Sequence, residues 1–528
     1  MAQFVEVETV REWLADGDEI AFLDLREEGQ YGSGHPLLAV NIPYSRLEME
    51  ITRLVPRRCC RAVLLDEEDG IAARAARRLE GYGYDNLHIL SGGAAAWAAG
   101  GYRLFPSTNV PGKGFAEIVE HECATPAITA GELDRLRHAG ERVIVLDSRP
   151  AEEFERFHVP GALNCPGAEL VHRFTDLVGS PETLVVVSCA GRTRGIIGAQ
   201  SLINAEVPNR VVSLSGGTQG WRLAGLELEG GPATGLAPLS DEADAAARRR
   251  AEAVAARFGV GRIGRTTLDA WLAETDRRTT HVLDVRTPEE FASGHLPGSV
   301  SAPGGQLVQA IDRWVGTRGA RLVLVDDTGT RAIMTAHWLK QMGWDAQFLE
   351  RGLEGRALET GNRSPGAAGV PVVPVLEVKE AARWLNGGAA AISLEPSAAY
   401  RRAHPAAAIW GIRPRLDRLP AGVLQAERLL LFADDTQRAQ LAAIDLSELT
   451  SADIAILAGG TETWQNAALP VVASPEHPAD AERIDFLFWN HDRHAGNEDS
   501  MRAYLRWETE LPAQISADGI SGFELASR

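Results

Sequence analysis

One pattern recurs four times along this chain, and an internal repeat constrains the architecture before any single segment is assigned. An apolar run ends at Asp24, Asp147, Asp284 or Ser393. An aromatic residue follows seven positions later (Tyr31, Phe154, Phe291, Tyr400) and a histidine eleven positions later (His35, His158, His295, His404). A second apolar run then leads into a turn and a helix-like segment: AVLL before Asp66, LVVV before Ser188, LVLV before Asp326 and LLLF before Ala433. Three copies close on a Gly-Gly turn with a tryptophan six residues after its first residue, at Ser91 and Trp97, Ser215 and Trp221, Ala458 and Trp464. The third copy has Glu350, Arg351 and Gly352 there, with Arg356 at the tryptophan position.

Short β-branched runs alternating with helical segments imply parallel strands with helical crossovers, hence an α/β layer fold in each copy. Pro/Gly-rich stretches put the four units at 1–105, 118–232, 260–362 and 370–475. Between the second and third, residues 233–259 form a linker whose Ala/Arg/Glu-rich part, Asp241 to Phe258, reads as a helix. Residues 476–528 are a C-terminal extension, and FLFWNHDRH from Phe486 to His494 is too aromatic to hang free, so it is expected to pack on the body. The His491, Asp492 and His494 set lacks the helical spacing of a metal pair, and no metal is expected.

Composition excludes several function classes. Against 53 basic residues stand 72 acidic ones, a net charge of −19, and the one basic run, Arg248 to Arg250, lies in the linker helix; no nucleic-acid partner is expected. The N-terminus has neither the basic nor the apolar part of a secretion signal, and no apolar run is long enough to span a bilayer, so a soluble cytoplasmic protein with no membrane partner is expected. Cys59, Cys60, Cys123, Cys165 and Cys189 are odd in number and irregular in spacing, which suits neither a disulfide framework nor a zinc site.

Chemistry concentrates in LVVVSCAGRTRGIIGAQSL, Leu184 to Leu202. A strand ending at Cys189, then a Gly- and Arg-containing turn into a helix N-terminus, aims backbone N–H groups and a positive dipole end at the sulfur. Such surroundings favour the thiolate, the nucleophilic form. The expected catalytic pair is Cys189 and Arg194, with Ala190, Gly191, Arg192, Thr193 and Arg194 binding an anionic substrate. At the cysteine position the other units carry Glu67, Asp327, and Asp434 or Asp435, which offer no thiol. These loops read as helix N-caps. One of the units without a cysteine at that position is also a candidate to complete the Cys189 pocket, the first being favoured.

LDSR from Leu146, EEFERFHVPGA from Glu152, VVVSCAGRTR from Val185 and LSGGTQGW from Leu214 together resemble the rhodanese (thiosulfate sulfurtransferase) superfamily, as do the repeats over nearly the whole chain. The resemblance implies four tandem rhodanese-like units, each a small parallel sheet flanked by helices, with only the second active. It implies transfer of sulfane sulfur from a small anionic donor such as thiosulfate, through a Cys189 persulfide, to a thiol, cyanide or protein acceptor, with no cofactor. Many similar loops place Ser where this chain has Gly195. Related phosphatases resemble Cys-x5-Arg, whereas Cys189 to Arg194 is Cys-x4-Arg, so phosphatase or arsenate reductase chemistry is the lesser alternative. A non-enzymatic sulfur carrier or scaffold is the other. Asp147 with Arg149 and the four histidines are expected to hold the fold rather than act in catalysis.

Overall fold

The computed structural model describes residues 2–526 apart from 234, 236, 362–372, 490–492, 494 and 495. In the second repeat, five parallel strands lie in the order Ala127–Ile128, Val211–Leu214, Leu184–Ser188, Val143–Asp147, Leu163–Asn164. The first repeat (Gln3–Val5, Leu87–Leu90, Arg61–Leu65, Ile20–Asp24, Val40–Asn41) and the third (Gly261–Ile263, Asp345–Leu349, Arg321–Val325, Thr280–Asp284, Val300–Ser301) share that order. The fourth keeps four strands, Asp453–Ala458, Arg428–Ala433, Ala390–Ser393 and Ala408–Trp410, and a parallel bridge from Val375 to Ile456 stands where the others have their first strand. Val185, Val186 and Val187 are all fully buried, as a parallel strand covered on both faces requires.

The repeated residues are the joints of each copy. Arg26, Arg149 and Arg286 each clasp the aspartate two residues before them, with Nε to Oδ1 at 2.9 Å in all three. The same guanidinium donates to the carbonyl of Gly34, Phe157 or Gly294, which ties the end of the strand closed by that aspartate to the end of the following helix. Each repeat histidine stacks on the aromatic ring four residues earlier, with centroids 3.7 to 3.8 Å apart. Its Nδ1 lies within hydrogen-bond distance of that residue's carbonyl. His35, His158 and His295 also pair their backbone with Phe105, Glu229 and Glu359, and His404–Pro405 pairs with Val471–Val472, closing each copy on its own C-terminal end. The pattern persists in copies that lack a cysteine after the second apolar run, because it serves folding.

The chain divides into two compact units: Met1–Glu12, Ala21–Thr108 and Ser364–His491 in one; Trp13–Ile20, Asn109–Arg363 and Asp492–Arg528 in the other. Within each, one buried arginine joins two repeats. Arg413 of the fourth repeat binds Glu48 of the first at 2.6 and 2.8 Å, together with Asp445. Arg331 of the third binds Glu169 of the second at 2.7 Å, together with Glu290 and Asp327. A buried arginine shared among carboxylates is costly to disrupt, since removing one partner strands the others.

The linker is helical at Asp241–Phe258, capped by the Ser240 hydroxyl, which accepts from the Ala243 N–H. Its Ala251, Val254 and Ala255 complete a core shared by the second and third repeats. A helix, Glu498–Asp518, lies on the helix Val110–Cys123 so closely that a Cβ on Gly114 would stand 2.0 Å from Ile515 Cδ1. Among the described residues no helix is long and apolar enough to cross a membrane, and no three His, Cys, Asp or Glu side chains gather as a metal site. His491, Asp492 and His494 lie outside the described residues.

Candidate active site

The strand Leu184–Ser188 delivers Cys189 to a short loop that enters the helix Thr193–Asn204. The backbone N–H groups of Gly195 and Gly191 lie where they favour the ionised form of the sulfur. A Cβ on Gly195 would stand 3.6 Å from Sγ and 3.4 Å from the Val187 carbonyl oxygen, ordinary contact distances that place the helix start beside the sulfur. The Gly-Gly turn holds the loop from the other side. The N–H groups of Thr218 and Gln219 donate to the carbonyls of Cys189 (2.8 Å) and Ala190 (3.1 Å). Gly217, at φ +52°, could carry no side chain, since a Cβ would fall 2.2 Å from the Cys189 carbonyl oxygen.

Those contacts fix the equivalence of the four loops. The carbonyls that receive the N–H groups of Leu25, Ser148, Val285 and Leu394 belong to Leu65, Ser188, Val325 and Phe432, so Cys189 corresponds to Asp66, Asp326 and Ala433. The sequence assignment to Glu67, Asp327, and Asp434 or Asp435 is therefore displaced, because a carboxylate also occupies the next position in each loop. Asp66 accepts from the N–H groups two and six residues ahead, of Glu68 and Ala72, each at 2.9 Å. Gly191 and Gly195 stand at the same offsets from Cys189. Asp326 likewise accepts from Gly329 (2.7 Å) and Arg331 (2.9 Å). The first and third repeats thus fill an anion cradle with their own aspartate, and the second puts a sulfur in it.

The expected charged clamps are both occupied. Arg192 turns to the helix Val110–Cys123, where Nε and Nη2 donate to Glu117 at 2.7 and 2.8 Å and Nη2 also meets Glu120. Arg194 forms a bidentate pair with Glu153, both distances 2.7 Å. Cys189 is only 2% exposed. Burial pushes its thiol above the ordinary value, while Arg194 and the Gly195 and Gly191 amides pull it down against that and Asp147 adds to the rise. A thiolate favoured at rest, as read from the sequence, is thus outweighed by desolvation. Cys165 lies in the apolar core, where burial raises its thiol strongly.

Residues far away in sequence surround the loop. Glu508, on the C-terminal helix, accepts from Tyr504 Oη at 2.7 Å and from Thr193 Oγ1 at 3.4 Å. Its Oε2 would be 3.3 Å from a Cβ on Gly191. Beside the helix start, a small cavity is lined by Thr193, Arg194 and Gly167 of the second repeat and by Gly304, Val308 and Trp338 of the third. Within this unit the neighbours of the loop are the third repeat and the C-terminal helix. Glu153 had one sequence signal, since Glu290 recurs at its position in the third repeat and grips Arg331 there. Glu117 and Glu508 had none.

The Rhodanese-like domain family matches residues 6–100, 129–224 and 267–357, together more than half of the chain. The chain belongs to the rhodanese-like family. A solved thiosulfate sulfurtransferase from Pseudomonas aeruginosa is 40% identical to this rhodanese-like chain, covers 99% of it and 100% of its own length, and superposes with a TM-score of 0.93. An HTH-type transcriptional regulator of Mycobacterium tuberculosis is 39% identical over 109 residues, 21% of this chain. The chain spans about half, 47%, of that curated relative's length.

Proposed function

We propose that this protein is a sulfurtransferase that carries sulfane sulfur on Cys189, from thiosulfate or a similar small anionic donor to a thiophilic acceptor. The observation that carries this reading is the shared cradle. Amides two and six residues ahead of Cys189 favour its ionised sulfur, and the amides at the same offsets from Asp66 hold that aspartate's carboxylate. The thiosulfate sulfurtransferase that matches along the full chain supports it independently.

In the first half-reaction the Cys189 thiolate attacks the outer sulfur of thiosulfate. A bond forms between Sγ and that sulfur, the S–S bond of the donor breaks, and its electron pair leaves with sulfite. The Gly191 and Gly195 amides then face the sulfur chain, and Arg194 supplies positive charge beside it, an arrangement of fixed dipoles that stabilises developing negative charge. In the second half-reaction an acceptor attacks the outer sulfur and the electron pair returns to Sγ. No cofactor enters.

Intact mass measured after thiosulfate treatment tests the reading. The wild type is expected to gain one sulfur atom and Cys189→Ser none. Steady-state turnover with thiosulfate and cyanide separates an enzyme from a sulfur-carrying scaffold, which would load once and stop.

A further inference from the structure

A thiol acceptor must lose its proton before it can attack, and neither the cradle amides nor Arg194 can take one. We propose that Glu508 of the C-terminal helix is the base that receives this proton, an inference that rests on the sulfurtransferase reading above. Glu508 is 1% exposed. Its Oε1 is held by Tyr504 and Thr193, which fixes the carboxylate on the start of the active-site helix. Its Oε2 is buried without a hydrogen-bond partner among the described residues and faces Gly191, the residue whose N–H favours the ionised cysteine sulfur.

A buried carboxylate oxygen left unpaired is expensive, and it suits a ligand that brings a proton to donate. Gln219 brings a donor to the same place: its side-chain Nε2 comes within 3.9 Å of a Cβ on Gly191. An unpaired carboxylate oxygen suits the S–H of the partner that collects the sulfur, whereas thiosulfate has no proton to give it.

The step balances without any further reactant. The acceptor's S–H proton passes to Glu508 Oε2 as its sulfur bonds to the outer sulfur of the persulfide. The bond between that sulfur and Sγ breaks, and the electron pair stays on Cys189. The products are a persulfide of the acceptor, the Cys189 thiolate and a protonated Glu508, which returns its proton to solvent.

The test unloads the sulfur-carrying enzyme with two nucleophiles, dithiothreitol and sulfite, at about pH 8, following loss of the added sulfur by mass. Sulfite attacks as an anion and needs no base. Glu508→Gln is expected to take up sulfur from thiosulfate and to lower the dithiothreitol-to-sulfite rate ratio about 100-fold, the usual scale for losing a general base, with Glu508→Asp recovering part of it. If Glu508→Gln slows both nucleophiles equally, the carboxylate only positions the helix and the proposal falls; an unchanged ratio overturns it as well. A wild type that takes up no sulfur would remove the sulfurtransferase reading itself, an outcome distinct from either.

Discussion

Arg194 and Glu153 meet as a bidentate pair, 2.7 Å at both contacts, and Arg331 and Glu290 repeat the pairing in a repeat that has no cysteine. The pairing is therefore a scaffold feature into which a nucleophile has been set. It also draws off much of the positive charge that would otherwise act on Cys189. Glu153→Gln is expected to return that charge to the sulfur. Wild-type Cys189, raised by burial, should alkylate with iodoacetamide at a rate still climbing at about pH 9. The Glu153→Gln profile should shift to lower pH by about one unit, the low end for gaining an adjacent cation because the Glu153 side chain is 41% exposed. Superimposable profiles would show that Glu153 does not tune the thiol.

Gly217 makes a second expectation. The loop carbonyl of Cys189 and the Gly-Gly turn approach so closely that a methyl group at 217 must push one of them away, and φ +52° penalises any side chain besides. Gly217→Ala should lower turnover with thiosulfate and cyanide about 100-fold, the scale of a displacement near 1 Å in a reacting site. Gly225 has φ +76° with nothing within 4 Å of a Cβ. Gly225→Ala shares the backbone strain without the collision, so it should melt slightly lower than wild type and keep its turnover. Equal activity in the two variants would mean that the loop is not braced through Gly217.

What the sequence reveals here is whatever the repeat writes locally. Asp147 with Arg149, Phe154 with His158 and the turn at Ser215–Gly217 all sit within a dozen residues of their partners or recur at fixed offsets, so the parallel sheets, the stacked histidines and the cysteine loop can all be read in order along the chain. The surroundings of the loop cannot. Arg192 pairs with Glu117 across 75 residues, and Thr193 meets Glu508 across 315, with no periodicity to announce either. Helix start and arginines suggest a thiolate, yet the outcome depends on burial by elements whose docking no local motif encodes. The one-residue displacement in the equivalent loops has a simpler cause. Adjacent acidic residues such as Asp66 and Glu67 look alike until the backbone bonds show which one lies in the cradle.

Lys113 bears on how the C-terminal helix is held. Its ammonium lies 5.3 Å from the Tyr504 ring centre and 5.5 Å from that of Trp507, on a side chain almost wholly buried. Burial lowers its pKa from 10.5 to about 7; Arg493 and Arg194 add to the fall, and Glu508 and Asp312 oppose it. Between those two values the unfolded chain keeps a proton that the folded chain releases, so stability rises with pH through that window. Below about 7 the folded state carries the full penalty of a buried charge, at most about 5 kcal/mol by the size of the shift. Above about 10.5 the lysine is neutral in both states and the penalty is gone. Lys113→Met keeps the apolar packing and removes the titration, so it should raise the urea midpoint of this unit most at about pH 6 and least at about pH 10. A stabilisation that does not change with pH would mean that Lys113 titrates normally and that its placement under the helix matters for shape alone.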